Sequence, residues 1–129
     1  MADVNRRHRP LSPFMIGPYY RPQLNSVTSI LTRITGISLA AGMVLITWWL
    51  FAASTGSDYF SLVDGILTSW IGSVILIGSV WALWYHSLAG IRHLIWDQGL
   101  GLEMTSADKL SWLVIFGSLA LTVLTVALV

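Results

Sequence analysis

The chain has 129 residues, of which 55% are hydrophobic and 10% charged, with a formal net charge of +1. Soluble domains carry roughly 25% charged residues, so a water-soluble globule is excluded, and no nucleic-acid partner is expected. There is no cysteine, which rules out disulfides, thiolate-held iron–sulfur clusters and thioether-attached haem.

Residues 1–25 hold all four prolines, Pro10, Pro13, Pro18 and Pro22. Each fixes its own backbone and restricts the residue before it. The segment is expected to be an extended N-terminal arm. It mixes arginine with Phe14, Met15, Ile16 and Tyr19, which suits either a basic membrane-surface tail or a docking arm for a soluble partner. It lacks the closely following apolar stretch of a secretory signal.

Residues 26–129 are expected to form one membrane domain. Three runs carry no formal charge: Ile34 to Ser57, Gly65 to Ile91, and Leu110 to Val129. A helix needs about 20 apolar residues to cross a hydrocarbon core of about 30 Å, so the runs predict three transmembrane helices, over about 27–53, 65–96 and 108–128. The alternating segments of about 10 residues that a barrel needs are absent. The expected fold class is an all-α integral membrane protein.

All seven basic residues precede the first span, start it, or fall between the second and third, while the loop after the first span has only Asp58 and Asp64. The positive-inside rule then predicts a cytoplasmic N-terminus and a C-terminus on the far side. Trp48, Trp49, Trp70, Trp96 and Trp112 fall near span ends, as in an aromatic belt; Trp81 and Trp84 lie deep.

In the first span, Ser26, Ser29, Arg33, Gly36 and Ala40 share a stripe at helical spacing. Arg33 either snorkels to the headgroups or joins Ser29 in a polar pocket, where a hydroxyl and a guanidinium hold a carbonyl oxygen. Guanidinium also pairs with planar carboxylates such as haem propionates.

In the second span, Gly72, Ile75, Ser79, Ala82, His86, Ala89 or Gly90, and His93 share a mostly small stripe. Such a face admits a neighbouring backbone or a flat ligand. His86 lies ten residues before Trp96, hence about 15 Å below the interface, where a polar ring must be satisfied. It is either hydrogen-bonded to another helix or a metal ligand, with haem the group that fits, lying against Gly90. His86 and His93 are about 10.5 Å apart along one helix, too far to grip one iron from both sides. His93 then suits the propionates or the surface. Arg92, His93 and Asp97 close the span at the depth of Arg33. Gly99 and Gly101 mark its end. Thr105 or Ser106 is expected to cap the third helix, with Asp108 in its first turn.

Two strings carry a family resemblance: Arg9-Pro10-Leu11 followed by "SILTRITG", with Ser29, Arg33 and Thr35, and "HSLAGIRHLIWDQG", residues 86–99. They resemble the cytochrome b large-anchor subunits of succinate dehydrogenase, respiratory complex II. The resemblance implies half of a heterodimeric haem-binding helix bundle. Haem b would be shared with a second small membrane anchor that supplies the other axial histidine, beside an iron–sulfur subunit and a flavoprotein. It implies His86 as the axial ligand to haem iron, with Arg33, His93 and Gly90 around the haem. Ser29, Arg33 and Asp97 would form the ubiquinone site. The location implied is the bacterial inner membrane, with the C-terminus periplasmic. Many members carry histidine where Thr32 and Phe14 stand; the first is associated with a haem propionate, so that contact does not carry over. The alternatives are a quinol:fumarate reductase anchor and a haem-free structural anchor. A transporter subunit is weaker, because proline breaks no span.

Overall fold

The computed structural model describes residues 21–129, so the Arg9-Pro10-Leu11 string, Phe14 and nearly all of the N-terminal arm lie outside the described residues. The described chain is helical: α1 (Leu24–Thr55), α2 (Ser57–Leu67), α3 (Trp70–Asp97) and α4 (Met104–Leu128). Three of these, α1, α3 and α4, are long and apolar enough to cross a membrane. At 1.5 Å per residue, even the 25 residues of α4 extend about 37 Å, more than the hydrocarbon thickness. α2 is an 11-residue helix, too short to span.

α2 occupies a stretch whose two aspartates predict a loop. Its apolar side, Phe60 and the fully buried Val63, folds back on α1. Two tryptophans of α1 hold it there: Trp48 Nε1 donates to Tyr59 Oη at 2.8 Å, and Trp49 Nε1 to Asp64 Oδ1 at 3.0 Å. The expected second span, starting near Gly65, is therefore two helices. The break has a local cause. Thr68 turns its amide and its hydroxyl onto the Asp64 carbonyl, ending α2. Ser69 then caps α3, its Oγ accepting from the Gly72 amide at 3.2 Å. The turn folds so tightly that a Cβ on Gly72 would collide with the Leu67 carbonyl oxygen.

α3 ends as its glycines indicate. Gly99 adopts φ 74°, its amide bonds Trp96 O at 2.8 Å, and the Leu100 amide reaches Ile95 O at 3.3 Å. This pair of bonds is a Schellman closure, which needs the left-handed residue that glycine supplies. α4 starts earlier than expected. Glu103, not Thr105 or Ser106, precedes its first turn, closed by the Ala107 amide on Glu103 O at 2.8 Å, without a side-chain cap.

α3 lies between α1 and α4 and contacts both. Of its buried residues, Gly72, Ala82 and Ala89 belong to the stripe expected to carry His86, while Tyr85 and Arg92 lie to one side of it. Arg92 bonds Ser111 of α4 and Thr28 of α1, and Tyr85 and Ala89 cluster with Val114 of α4; Ser118 of α4 and Thr35 of α1 are buried as well. Tyr85, Ala89 and Val114 form the centre of the core, with Leu31, Trp81, Leu88 and Ile115 packed against it. The outer faces expose Ile34, Ile37, Leu113 and Leu124, which suits contact with acyl chains.

Candidate functional site

At the end of the bundle where α1 begins, a polar knot ties three helices. Arg92 is 2% exposed. Its Nη1 donates to Thr28 Oγ1 of α1 and Ser111 Oγ of α4, both at 2.9 Å. Its guanidinium carbon sits 4.7 Å from the centroid of the Trp96 ring, a cation–π contact. Ser111 Oγ has Asn25 Oδ1 within reach at 2.7 Å, and Asn25 Nδ2 donates to Asp108 Oδ1 at 3.0 Å. Tyr85 Oη donates to the Thr28 carbonyl at 3.1 Å. Arg92 Nε is buried with no hydrogen-bond partner among the described residues. The sequence reading grouped Arg92 with residues closing a helix and missed its burial. The signal was present in the 3–4 spacing of Tyr85, Ala89 and Arg92, and in the small and hydroxyl residues Ala107, Ser111, Ser118 and Thr122 along α4.

His86 leaves α3 beside this knot and turns toward α1. Its Nδ1 lies 3.1 Å from the Thr32 carbonyl and 3.3 Å from Thr35 Oγ1. A carbonyl can only accept, so Nδ1 carries the proton and Nε2 keeps its lone pair. Nε2 has no hydrogen-bond partner among the described residues. The ring lies over Gly36, where an added Cβ would come within 3.1 Å of Cε1. Gly36 belongs to the Ser29–Arg33 stripe, so the two sequence-derived stripes border one another.

The remaining site residues occupy the same edge of the α1–α3 pair. Ser29 is half-buried and Arg33 exposed, and neither makes a hydrogen bond or ion pair among the described residues. Ser29 stands out, because Thr28, Thr32, Thr35 and Ser38 all donate to carbonyls of their own helix. Since α1 and α3 run antiparallel and Arg92 reaches Thr28, His93 falls at the level of Ser29. His93 is exposed; its Nδ1 lies 2.7 Å from Ala89 O and its ring packs edge-on to Trp96. Asp97, exposed, is the last residue of α3. A Cβ on Gly90 would touch nothing within 4 Å. His86, Gly90, His93 and Asp97 thus share one open face of α3 at steps of 4, 3 and 4.

Beyond His86, toward α2, a groove of about 390 Å³ runs between α1 and α3. Its lining includes Thr35, Ser38, Gly42, Gly78, Ser79 and Trp81. Among the described residues no group of three or more His, Cys, Asp or Glu side chains converges on a possible ion, so no self-contained ion site is present there.

The chain matches the model of the succinate dehydrogenase/fumarate reductase transmembrane subunit over residues 5–125. It is 57% identical over 125 residues to the succinate dehydrogenase cytochrome b556 subunit of Paracoccus denitrificans, covering 97% of this chain and 95% of the relative. It is 35% identical to the cytochrome b556 subunit of Rickettsia conorii, over 90% of this chain and 89% of the relative. With the cytochrome b560 subunit of Marchantia polymorpha it shares 34%, over 92% of this chain and 89% of the relative. An all-helical bundle with three membrane-length helices, matched almost end to end, belongs to the succinate dehydrogenase/fumarate reductase transmembrane subunit family.

Proposed function

We propose that the chain is a membrane-anchor cytochrome b subunit of succinate:ubiquinone oxidoreductase, co-ligating haem b through His86 and contributing to the ubiquinone site. The names of its relatives carry the coarse reading. One observation carries the finer one: the Thr32 carbonyl fixes the Nδ1 proton of His86 and leaves Nε2 as a donor to a metal. Ligating histidines ordinarily have their second nitrogen held in this way.

The residues present fit a haem. The position of Gly36 leaves space for the imidazole that any larger residue would take, and Gly90 leaves α3 bare on the same face. A bound haem would supply a one-electron reservoir inside the membrane. His86 would hold its iron, together with a histidine from a second small anchor subunit. His93 and Arg33 stand on the neighbouring edge, where propionates could be paired. Thr32 offers only a hydroxyl already bonded to Thr28 O at 2.8 Å, so no propionate contact is assigned to it.

Quinone would approach the Ser29–Arg33 edge from the lipid. Ser29, whose hydroxyl proton is uncommitted, donates a hydrogen bond to one quinone oxygen. Arg33 compensates the negative charge that builds on that oxygen, a preorganised electrostatic effect. Asp97, exposed at the end of α3, takes a proton from water at its carboxylate and passes it inward. With two electrons and two protons the quinone becomes quinol. The electrons originate in succinate oxidation on a flavoprotein and pass through an iron–sulfur subunit. The end holding Arg33 and Arg92 is cytoplasmic, and the α2 end periplasmic.

A reduced-minus-oxidised optical spectrum of the purified complex tests the reading. The native complex shows a b-type band, and His86→Ala loses or severely perturbs it. A native complex without that band, or an unchanged band in the variant, overturns the assignment of His86.

A further inference from the structure

A full positive charge lies at the junction of three helices without a carboxylate in contact among the described residues. Arg92 is held by neutral groups: two hydroxyls, a tryptophan face, and an Nε with no partner among the described residues. Buried charges are ordinarily paired, because dipoles alone compensate them incompletely. The carboxylate reached through the knot is Asp108, two hydrogen-bonded side chains away through Ser111 and Asn25. The field of Arg92 is therefore only partly cancelled. It acts through a low-dielectric interior and is not screened as a surface charge is.

A haem held on His86 would lie within reach of that field. The two residues are six apart on one helix, about 9 Å along its axis. Tyr85, next to His86 in the chain, bonds the Thr28 carbonyl, and Thr28 Oγ1 accepts from Arg92. Arg33, the other cation near this edge, is exposed and free to be screened.

We propose that Arg92 is a positioning and tuning residue that holds a fixed, largely uncompensated cation beside the His86 face and raises the electron affinity of the haem bound there. This rests on the haem reading above. It adds that the potential is set from the dry side of α3 by a residue that touches neither haem nor quinone. At roughly 10 Å and an effective dielectric constant of about 20, one unit charge changes a one-electron equilibrium about tenfold. A tenfold change corresponds to ~59 mV for one electron.

The test is a spectroelectrochemical titration of the b-type band in the whole complex, for native protein, Arg92→Gln, Arg92→Lys and Asp108→Asn. Arg92→Gln keeps hydrogen-bonding capacity without charge and is expected to lower the midpoint by ~59 mV. Arg92→Lys keeps the charge and stays near the native value. Asp108→Asn retains an acceptor for Asn25 but removes the distant counter-charge, so its midpoint rises by a smaller amount. Equal falls in Arg92→Gln and Arg92→Lys would show loss of packing, not of charge, and overturn the proposal; so would an unmoved midpoint in Arg92→Gln. Where Arg92→Gln does not assemble, Asp108→Asn decides: a rise supports the proposal and an unchanged value overturns it. A native complex with no b-type band removes the haem reading itself, whereas a normal band with unmoved midpoints removes only the role of Arg92.

Discussion

The imidazole of His86 lies directly against the backbone of Gly36, near enough that a Cβ there would sit 3.1 Å from Cε1. Gly36 therefore sets the angle at which the ring leaves α3 for α1. Gly36→Ala is expected to push the ring by a few tenths of an ångström and lower haem content without abolishing it. Gly36→Val forces a larger displacement, at ~1–3 kcal/mol of overpacking strain, and removes most of the b-type absorbance per assembled complex. Pyridine haemochrome quantification checks both; full haem content in Gly36→Val would show that α1 does not orient the ring.

Arg33→Leu removes the guanidinium at the proposed quinone edge; Arg33 makes no hydrogen bond or ion pair among the described residues. Succinate–quinone reductase activity is expected to fall at least tenfold, while succinate oxidation by an artificial dye acceptor is preserved. Ser29→Ala gives a smaller loss, chiefly as a raised KM for quinone, since one hydrogen bond is removed and the charge stays. Parallel loss of both activities in Arg33→Leu would assign the residue to assembly.

Ser111→Ala deprives the buried guanidinium of one of its two hydroxyl acceptors. Leaving such a donor unsatisfied costs about 1–3 kcal/mol, so the thermal unfolding midpoint of the purified complex drops. Ser118→Ala serves as the comparison. Ser118 is equally buried, but its hydroxyl donates only to Ile115 of its own helix, so the change is small. Equal midpoints for the two variants would show that the knot does not hold the helices together.

Gly72→Ala sets a methyl group against the Leu67 carbonyl and so opposes the turn between α2 and α3. Reduced yield of assembled complex is expected, with new proteolytic cleavage near residues 66–70. Gly78→Ala, where nothing lies within 4 Å, leaves both unchanged and separates the steric effect from helix propensity.

The three membrane-length helices were legible because apolar length is a global property that tolerates errors in individual residues. α2 was not: its 11 residues fall below the length that matters for crossing, and its two aspartates read as loop. What makes it a helix is tertiary, the pair of α1 tryptophans that grip Tyr59 and Asp64. Spacing alone put His86, Gly90 and His93 on one stripe; Asp97 was expected only at the end of the span, at the depth of Arg33. Arg92 shows the limit of that method. A charge near a helix end looks the same in sequence whether it faces headgroups or a core, and its burial depends on hydroxyls contributed from 64 and 19 residues away. Those on α4 were overlooked because that helix was read only for its length.

The hydroxyls of Thr28, Thr32, Thr35, Ser38 and Thr47 all close back onto α1 carbonyls. Each such hydroxyl satisfies its own proton inside the helix, while Thr28 Oγ1 also accepts from Arg92 and Thr35 Oγ1 lies 3.3 Å from His86 Nδ1. For insertion machinery sampling a nascent segment, α1 therefore partitions more like an alanine-rich stretch than its count of hydroxyl residues implies. Replacing Ser38 and Thr47, whose hydroxyls bond only within α1, with asparagine, whose amide has more polar groups than one carbonyl can satisfy, would impair membrane integration well before it altered a contact in the finished bundle.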